Sequence, residues 1–387
     1  WSSDVCSSDL GMVWPPSVRG ILVTESVRGD GGVLKNSNGE RFMFNYIPEV
    51  FKDKYADNEA EADRWYKDQN NNRRPPELLP RDEVARAINA EVKAGRGTPH
   101  GGVYLDVSTR LPAEEIKKRL PSMWHQFYEL AGVDITKEPM EVGPTCHYVM
   151  GGIDVDPDTG AAIDVPGLFA AGEVAGGMHG SNRLGGNSLS DLLVFGRRAG
   201  DGAAAYVKSN GANPVSENSI AKAHEYLNAP FNNSGGENPY SIHAELQQTT
   251  NDLVGIIRIK HELEESLKKI SELRSRAKKA KAEGGKNFNP GFHLALDLEN
   301  MLLVSESIAR SALQREESRG GHTREDFPKM DPTWRQVNSI ATWNGDSMNV
   351  VKQPLPPMPK ELAGLFELDE LKKYLTNEEL ANYGGGH

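Results

Sequence analysis

The sequence predicts a fold of the α/β plus α class, in which helices dominate the later part of the chain. The first observation is a short apolar run that ends at Gly172–Glu173 and is followed by a glycine-rich loop and a helix start near Asn187. This order of strand, loop and helix is typical of α/β proteins. The second observation is that apolar residues recur at helical spacing through residues 242–283 and 292–320.

Composition narrows the classes of function that fit the chain. Its 387 residues include 55 acidic and 44 basic side chains, and the net charge of −11 argues against nucleic acid as a general partner. Cys6 and Cys146 are its two cysteines, so a disulfide framework is not expected. No apolar run approaches the roughly 18 residues that a membrane-spanning helix needs. A soluble protein of a reducing compartment is therefore expected.

The first ten residues, WSSDVCSSDL, repeat the triplet SSD and show neither strand nor helix periodicity. They resemble a translated sequencing adapter, and we expect residues 1–10 to be a non-native leader that takes no part in the fold. The folded sequence is then expected to start at Gly11.

Several patterns predict the elements between this leader and the glycine-rich region. Residues 52–80 are polar, charged and interrupted by prolines, which is typical of a surface loop. After them, Val84, Ile88 and Val92 recur at helical spacing, so a helix is expected to begin at Arg81 and to end at a following glycine. Shorter elements are predicted as a strand at Gly20–Thr24, a hairpin turn at Asn36–Gly39, a strand within 101–108 and two helical segments separated at Pro121.

The stretch from Pro144 to Gly200 carries the strongest indication of a ligand site. Its glycines and the amino end of the following helix present backbone N–H groups, which suit an anionic ligand. Glu173 stands where acidic residues accept hydrogen bonds from ribose hydroxyls in dinucleotide sites. His147 and Arg183 add hydrogen-bond donors that suit a small dicarboxylate. A glycine-rich turn is also common as a purely structural feature, so these residues by themselves leave both interpretations open.

The residues of several motifs give a more specific indication of the family. PTCHYVMGGI, GLFAAGEVAGGMHGSNRLGGNSLSDLLVFGRRAG, ILVTESVRGDGGVL, RDEVARAI and ESRGGHTREDFP closely resemble the flavoprotein subunit of succinate dehydrogenase and fumarate reductase. The resemblance runs from about Gly11 to the end of the chain. It implies part of a two-dinucleotide-binding-type FAD domain, an α+β capping domain and a C-terminal helical bundle. The implied bounds are 11–143 for the capping domain, 144–205 for the part of the FAD domain, 206–328 for the helical domain and 329–387 for a C-terminal domain.

The resemblance also implies a role for each matching residue. Without it, Thr24–Arg28 has the pattern of an exposed charged turn and Arg81 that of a surface charge. An arginine side chain titrates above about pH 12, so acid–base work requires that it be enclosed and coupled to a relay. The implied set comprises Arg81, Glu25 and Arg28 for proton transfer; Thr24, His147 and Arg183 for the substrate; and Glu173, Asn187, Ser188 and Leu189 for FAD. No metal site is implied.

The activity implied by the resemblance is oxidation of succinate to fumarate, or the reverse, by hydride transfer with FAD. Electrons would pass through an iron–sulfur subunit to quinone at a membrane anchor. The flavoprotein would then lie peripherally on the cytoplasmic face of a bacterial inner membrane.

Two alternatives remain open at this point. L-aspartate oxidase resembles the same motifs, although RLGGNSLSDLLVFG and the TWNG region favour the dehydrogenase. The polypeptide as written is alternatively a non-catalytic truncated fragment, because the family's opening GxGxxG motif and flavin-linking histidine have no match in it. In addition, Ser8 stands where the family usually has a histidine that contacts a substrate carboxylate.

Overall fold

A computed structural model describes residues 6–184, 186–211, 214–372 and 375–383. The chain divides into two compact units. The first unit comprises Cys6–Tyr148, and the second begins at Val149 and includes the remaining described residues. Each unit has its own cluster of buried apolar side chains. The domain bounds given by the sequence resemblance stay predictions.

A five-stranded sheet forms the centre of the first unit, with strand order β2-β1-β5-β4-β3. Its strands are β1 Cys6–Met12, β2 Leu22–Val23, β3 Val33–Lys35, β4 Val103–Asp106 and β5 Met140–Val149. Strand β1 begins inside the segment that we expected to take no part in the fold, and Leu10 pairs with Val23 in the antiparallel β1–β2 ladder. Strand pairing uses backbone groups that every residue except proline carries in full, which is why a segment without strand periodicity can still complete a sheet.

Five α-helices accompany this sheet among the described residues of the first unit. They are α1 Ser26–Gly29, α2 Glu59–Trp65, α3 Arg81–Lys93, α4 Ala113–Arg119 and α5 Pro121–Ala131. The helical spacing after Arg81 is confirmed, because Val84 and Ile88 of α3 are buried in the core. The predicted separation at Pro121 is confirmed as well, since this proline is the first residue of α5, where a missing N–H costs nothing.

The prediction of a surface loop over residues 52–80 is wrong in part. The segment contains α2, whose first turn is closed by Asn58: its side-chain oxygen accepts the N–H of Glu61 at 3.0 Å. The Glu61 carboxylate also receives the N–H of Asp57, at 3.4 Å. This is close to a capping-box arrangement, and the spacing Asn58-x-x-Glu61 was its signal in the sequence. A short 3₁₀ helix, Pro76–Leu78, follows and leads into α3.

The second unit is mainly helical where it is described. Its helices and strands are α6 Asn187–Asn210, α7 Glu217–Asn232, α8 Pro239–Leu253, α9 Lys260–Ala277, α10 Pro290–Gln314, β6 Val337–Trp343, β7 Met348–Pro354, α11 Lys360–Ala363, α12 Leu368–Leu371 and α13 Asn377–Tyr383. Helices α8, α9 and α10 pack together around Ile242, Ile270 and Leu298, as the helical periodicity predicted. Within the described ranges, no helix is both long enough and apolar enough to cross a lipid bilayer.

The strand predicted to end at Gly172–Glu173 is not formed. Phe169 makes one isolated antiparallel bridge with Ala161, and Gly172–Val174 is a 3₁₀ helix. A strand needs a neighbouring strand over several residues, and an apolar run cannot show whether that neighbour is present. The helix start at Asn187 is confirmed.

Glu91 in α3 supports a prediction about acid stability. Its carboxylate, on a residue that is 2% exposed, accepts two hydrogen bonds from Arg96 at 2.8 Å each and one from the hydroxyl of Tyr46 at 2.6 Å. The hydrogen bonds from Arg96 are the largest cause that lowers the pKa of Glu91 from 4.5 to about 2. A lowered carboxylate pKa stabilises the fold above pH 4.5, and this contribution is lost as the pH falls through about 2.

We therefore expect Glu91→Gln to lower the free energy of unfolding at pH 7 by about 1–3 kcal/mol. The loss should shrink as the pH is lowered from 5 to 2, because Glu91 of the unfolded wild type takes up a proton below about pH 4.5 whereas the folded protein keeps it ionised down to about pH 2. Thermal melts across this pH range measure it. Glu129→Gln on the exposed face of α5 is the control, and equal pH profiles for Glu91→Gln and the wild type would contradict the assignment.

Candidate active site

The first unit brings together the residues predicted to transfer a proton. Arg81 is the first residue of α3, and its Nε donates to Glu25 Oε2 at 2.9 Å. Glu25 immediately precedes the short helix α1, and Arg28 lies within that helix, 1% exposed. The sequence separates Glu25 from Arg81 by 56 positions, so their ion pair is a product of the fold.

The local sequence explains how Arg81 comes to face Glu25. Pro80 precedes α3 in an extended conformation, so the helix begins abruptly at Arg81. Asp82 and Glu83 follow in the first turn, where negative charge is favourable at the amino end of a helix. Both carboxylates bond to Arg86, at 2.9 and 2.6 Å. The neighbouring carboxylates are therefore paired with Arg86 along α3, and the side chain of Arg81 is paired with Glu25.

Thr24 and His147 are the two predicted substrate contacts in this unit. The hydroxyl oxygen of Thr24 accepts a hydrogen bond from the backbone N–H of Ser26 at 3.3 Å. It also lies 3.2 Å from the hydroxyl oxygen of Ser26. Thr24 thus starts the turn into α1 and remains half-buried beside Glu25. His147 lies half-buried near the end of β5, between the exposed Cys146 and the buried Tyr148.

The second unit holds the predicted flavin contacts and Arg183. Glu173 lies in the 3₁₀ helix, and its Oε1 accepts the backbone N–H of Val149 at 2.9 Å. The expected position at the carboxyl end of a strand is wrong, although the carboxylate is exposed and keeps its second oxygen for another donor. Arg183 lies half-buried in the glycine-rich loop, with its Nη1 at 3.4 Å from the backbone oxygen of Leu184.

The amino end of α6 fits a cofactor with polar and anionic groups. Asn187, Ser188 and Leu189 form its first turn, and Gly186 precedes them in the left-handed conformation at φ 83°. A Cβ atom at Gly177, Gly180 or Gly186 would meet no atom within 4 Å. The loop backbone therefore borders open space beside the helix terminus, which suits close approach of a ligand.

His179 and Asp191 connect this loop to α6. His179 Nε2 lies 3.4 Å from Asp191 Oδ2, and the two side chains are 8% and 2% exposed. By contrast, most of α6 is exposed: among its described side chains, Asp191 and Ala199 are buried, while Leu189, Leu192 and Leu193 are more than half exposed. In the described ranges, no group of three or more histidine, cysteine and carboxylate side chains is arranged to bind a metal ion.

Comparison with known proteins identifies the class of protein that these elements belong to. Residues 10–189 match the family described as FAD binding domain, and residues 243–361 match that described as fumarate reductase flavoprotein C-term. These matches place the chain among proteins with a FAD binding domain. More particularly, it belongs to the family of flavoprotein subunits of succinate dehydrogenase and fumarate reductase, as the sequence motifs predicted.

Individual relatives agree with this assignment. The chain is 36% identical to the 8-methylmenaquinol:fumarate reductase flavoprotein subunit of Wolinella succinogenes, over 84% of this chain and 50% of that protein. It is 37% identical to the fumarate reductase flavoprotein subunit of Escherichia coli, over 94% and 60%. A solved structure of Mycobacterium smegmatis Sdh1 in complex with UQ1 matches with a TM-score of 0.80 and 58% identity, over 98% of this chain and 61% of that chain. The predicted fold class is confirmed, and the chain spans between half and two thirds of these relatives' lengths.

Proposed function

We propose that this chain contributes the substrate-binding and proton-transfer residues of a flavoprotein subunit that interconverts succinate and fumarate. The observation that carries the proposal is the ion pair between Arg81 Nε and Glu25 Oε2 at 2.9 Å, with Arg28 buried in the adjoining helix. Oxidation of succinate removes a hydride from one methylene carbon and a proton from the other. The three side chains supply a route for that proton.

Each residue has a distinct task in this proposal. Arg81 accepts the proton from the methylene carbon during oxidation and returns it during reduction, while Glu25 and Arg28 carry it between Arg81 and solvent. Thr24, His147 and Arg183 bind the substrate carboxylates, because hydroxyl, imidazole and guanidinium groups all donate to carboxylate oxygens. Glu173, Asn187, Ser188 and Leu189 would hold FAD, which supplies the hydride acceptor and donor.

Partners and location follow from the same assignment. Relatives are named as flavoprotein subunits of fumarate reductase and succinate dehydrogenase. The complete flavoprotein would therefore bind an iron–sulfur subunit together with a membrane anchor that holds quinone. The location proposed is the cytoplasmic face of a bacterial inner membrane, with the flavoprotein peripheral to it.

The test is an anaerobic visible absorption spectrum of a flavoprotein of the relatives' full length that carries residues 11–387 of this chain. We expect succinate to bleach its flavin band and fumarate to restore it, since hydride transfer reduces the flavin reversibly. Bleaching by aspartate and not by succinate would replace the proposal with an L-aspartate oxidase. A flavin-loaded protein that responds to neither compound would overturn both.

One observation favours a second candidate for the 387-residue polypeptide by itself, namely that it is non-catalytic. Leu192 and Leu193 of α6 are 53% and 78% exposed, beside the residues proposed to hold FAD. Apolar side chains of this kind usually pack against further protein. The same spectrum recorded on the polypeptide incubated with FAD decides the point: loss of flavin on desalting supports this candidate, and a retained band that bleaches with succinate excludes it.

A further inference from the structure

Two hydrogen bonds join the same pair of short segments in the first unit. Arg81 Nε donates to Glu25 Oε2, and Arg28 Nη1 donates to the backbone oxygen of Glu77, both at 2.9 Å. Glu25 and Arg28 are three positions apart, and Glu77 and Arg81 are four positions apart, at the entry to α3. The position of Glu77 therefore sets where Arg28 lies relative to the Arg81–Glu25 pair.

Glu77 is itself held by a buried ion pair. Its side chain is 0% exposed and accepts two parallel hydrogen bonds from Arg41, at 2.6 Å from Nε and 2.9 Å from Nη2. Burial acts to lower the pKa of Arg41, but Glu77 and Asp63 raise it above the ordinary arginine value. Arg41 consequently stays charged, and a bidentate pair of this kind fixes both the distance and the orientation of its partner.

The network continues from Arg41 and returns to the segment that follows Arg28. Arg41 Nη1 donates to Asp63 at 3.0 Å, and Asp63 also accepts two hydrogen bonds from Arg110, at 2.6 and 3.1 Å. Arg110 Nε donates in turn to the backbone oxygen of Gly31 at 3.2 Å. Burial acts to raise the pKa of Asp63, but the hydrogen bonds from Arg110 and Arg41 lower it, so the carboxylate stays ionised.

Tyr66 adds a second direct contact to Arg28. Its hydroxyl, on the segment that follows α2, donates to the backbone oxygen of Arg28 at 2.9 Å. Arg28 is thus held at its guanidinium by Glu77 and at its backbone by Tyr66. Both contacts come from residues 52–80, the segment whose polarity predicts a surface loop.

We propose that Tyr66, Glu77, Arg41, Asp63 and Arg110 form a positioning network that fixes Arg28 at the distance from the Arg81–Glu25 pair that proton transfer requires. The inference rests on the proposed function, because it assigns these residues to the relay of that same site. None of the five is proposed to touch the substrate. Loosening the network should therefore slow the proton step and leave substrate binding nearly unchanged.

The kinetic test compares Tyr66→Phe and Arg41→Lys with the wild-type complete holoenzyme. Tyr66→Phe removes one hydroxyl, and Arg41→Lys keeps the charge but removes the bidentate geometry. We expect kcat to fall about five- to tenfold for the first and more than about tenfold for the second, with KM within about twofold. The solvent deuterium isotope effect on kcat should rise in both variants, which a loss of stability alone would not cause.

Matched controls come from the same unit. Tyr46→Phe also removes a hydroxyl hydrogen bond, to Glu91, and Arg73→Lys also weakens ion pairs in the 52–80 segment, to Glu61 and Asp57. Neither leads to Arg28, so both should keep the wild-type kcat and isotope effect. Equal isotope effects in the wild type, Tyr66→Phe and Arg41→Lys, with kcat changed less than about twofold, would overturn the proposal.

A second measurement separates this inference from the proposed function. Hydrogen exchange of the 387-residue chain reports on the backbone amides of residues 26–32 without any substrate or cofactor. We expect Tyr66→Phe to speed their exchange at least about tenfold relative to Tyr46→Phe, because the hydrogen bond from the Tyr66 hydroxyl to the Arg28 backbone oxygen is lost. Unchanged exchange would refute the positioning network even if succinate is turned over, whereas faster exchange in a protein without turnover would refute only the proposed function.

Discussion

Replacing Arg81 with lysine is expected to lower kcat for succinate oxidation by about a thousandfold in the complete flavoprotein, the middle of the range for a lost acid–base group. Arg81 Nε donates to Glu25 Oε2 at 2.9 Å from the first position of α3. A lysine carries one terminal ammonium on a flexible stem, and it lacks the planar fork that can contact Glu25 and substrate together. KM for succinate should change less than about threefold, because other residues are proposed to bind its carboxylates.

The matched control lies five positions along the same helix. Arg86→Lys alters an arginine that is paired with Asp82 and Glu83 in α3, so it tests for general effects on the helix. We expect this variant to keep its turnover within about threefold of the wild type. Turnover near the wild-type value in Arg81→Lys, with flavin content unchanged, would show that Arg81 does not transfer the proton.

Sequence patterns predicted those parts of the fold that depend on local periodicity. Helix α3 is the clearest case, because Val84 and Ile88 mark one apolar face and that face is buried. The start of α6 at Asn187 was equally well marked by the glycines before it. Such signals are local, so they do not require knowledge of the partner element.

The parts that could not be predicted depend on partners far away in the sequence. Glu77 is paired with Arg41, 36 positions earlier, and no local pattern distinguishes a buried carboxylate from a solvated one. Polarity of residues 52–80 therefore indicated a surface loop, although two of these residues, Tyr66 and Glu77, contact Arg28. In the same way, the apolar run before Glu173 indicated a strand whose continuous partner is not formed by the described residues.

The proposed site residues came from a resemblance of motifs, and the structure adds contacts that the motifs did not contain. Arg81 and Glu25 are joined directly in the first unit. For Glu173, the carboxylate binds the N–H of Val149, which no pattern indicated. Family motifs therefore supply candidate residues, whereas the groups that orient them become visible only in three dimensions.

Gly320→Ala is expected to raise KM for succinate by about a hundredfold, through displacement of the loop that carries Arg183. Gly320 has φ +61°, and a Cβ atom there would lie 2.3 Å from the backbone oxygen of Ser181 and 2.7 Å from its hydroxyl oxygen. The next residue, Gly321, donates its N–H to the same Ser181 oxygen at 2.9 Å. An added methyl group must therefore push Ser181 away, and Arg183 is two positions further along the loop.

Gly345→Ala separates this clash from simple backbone strain. Gly345 lies between β6 and β7 with φ +102°, but a Cβ atom there would meet nothing within 4 Å. Both variants should lose about 1–2 kcal/mol of stability from the left-handed conformation, measured by thermal melts. KM should rise only in Gly320→Ala, because only there does the methyl group meet the loop that carries Arg183. A folded Gly320→Ala protein with the wild-type KM would mean that the position of this loop does not control substrate binding. The assignment of Arg183 to a substrate carboxylate would then be wrong.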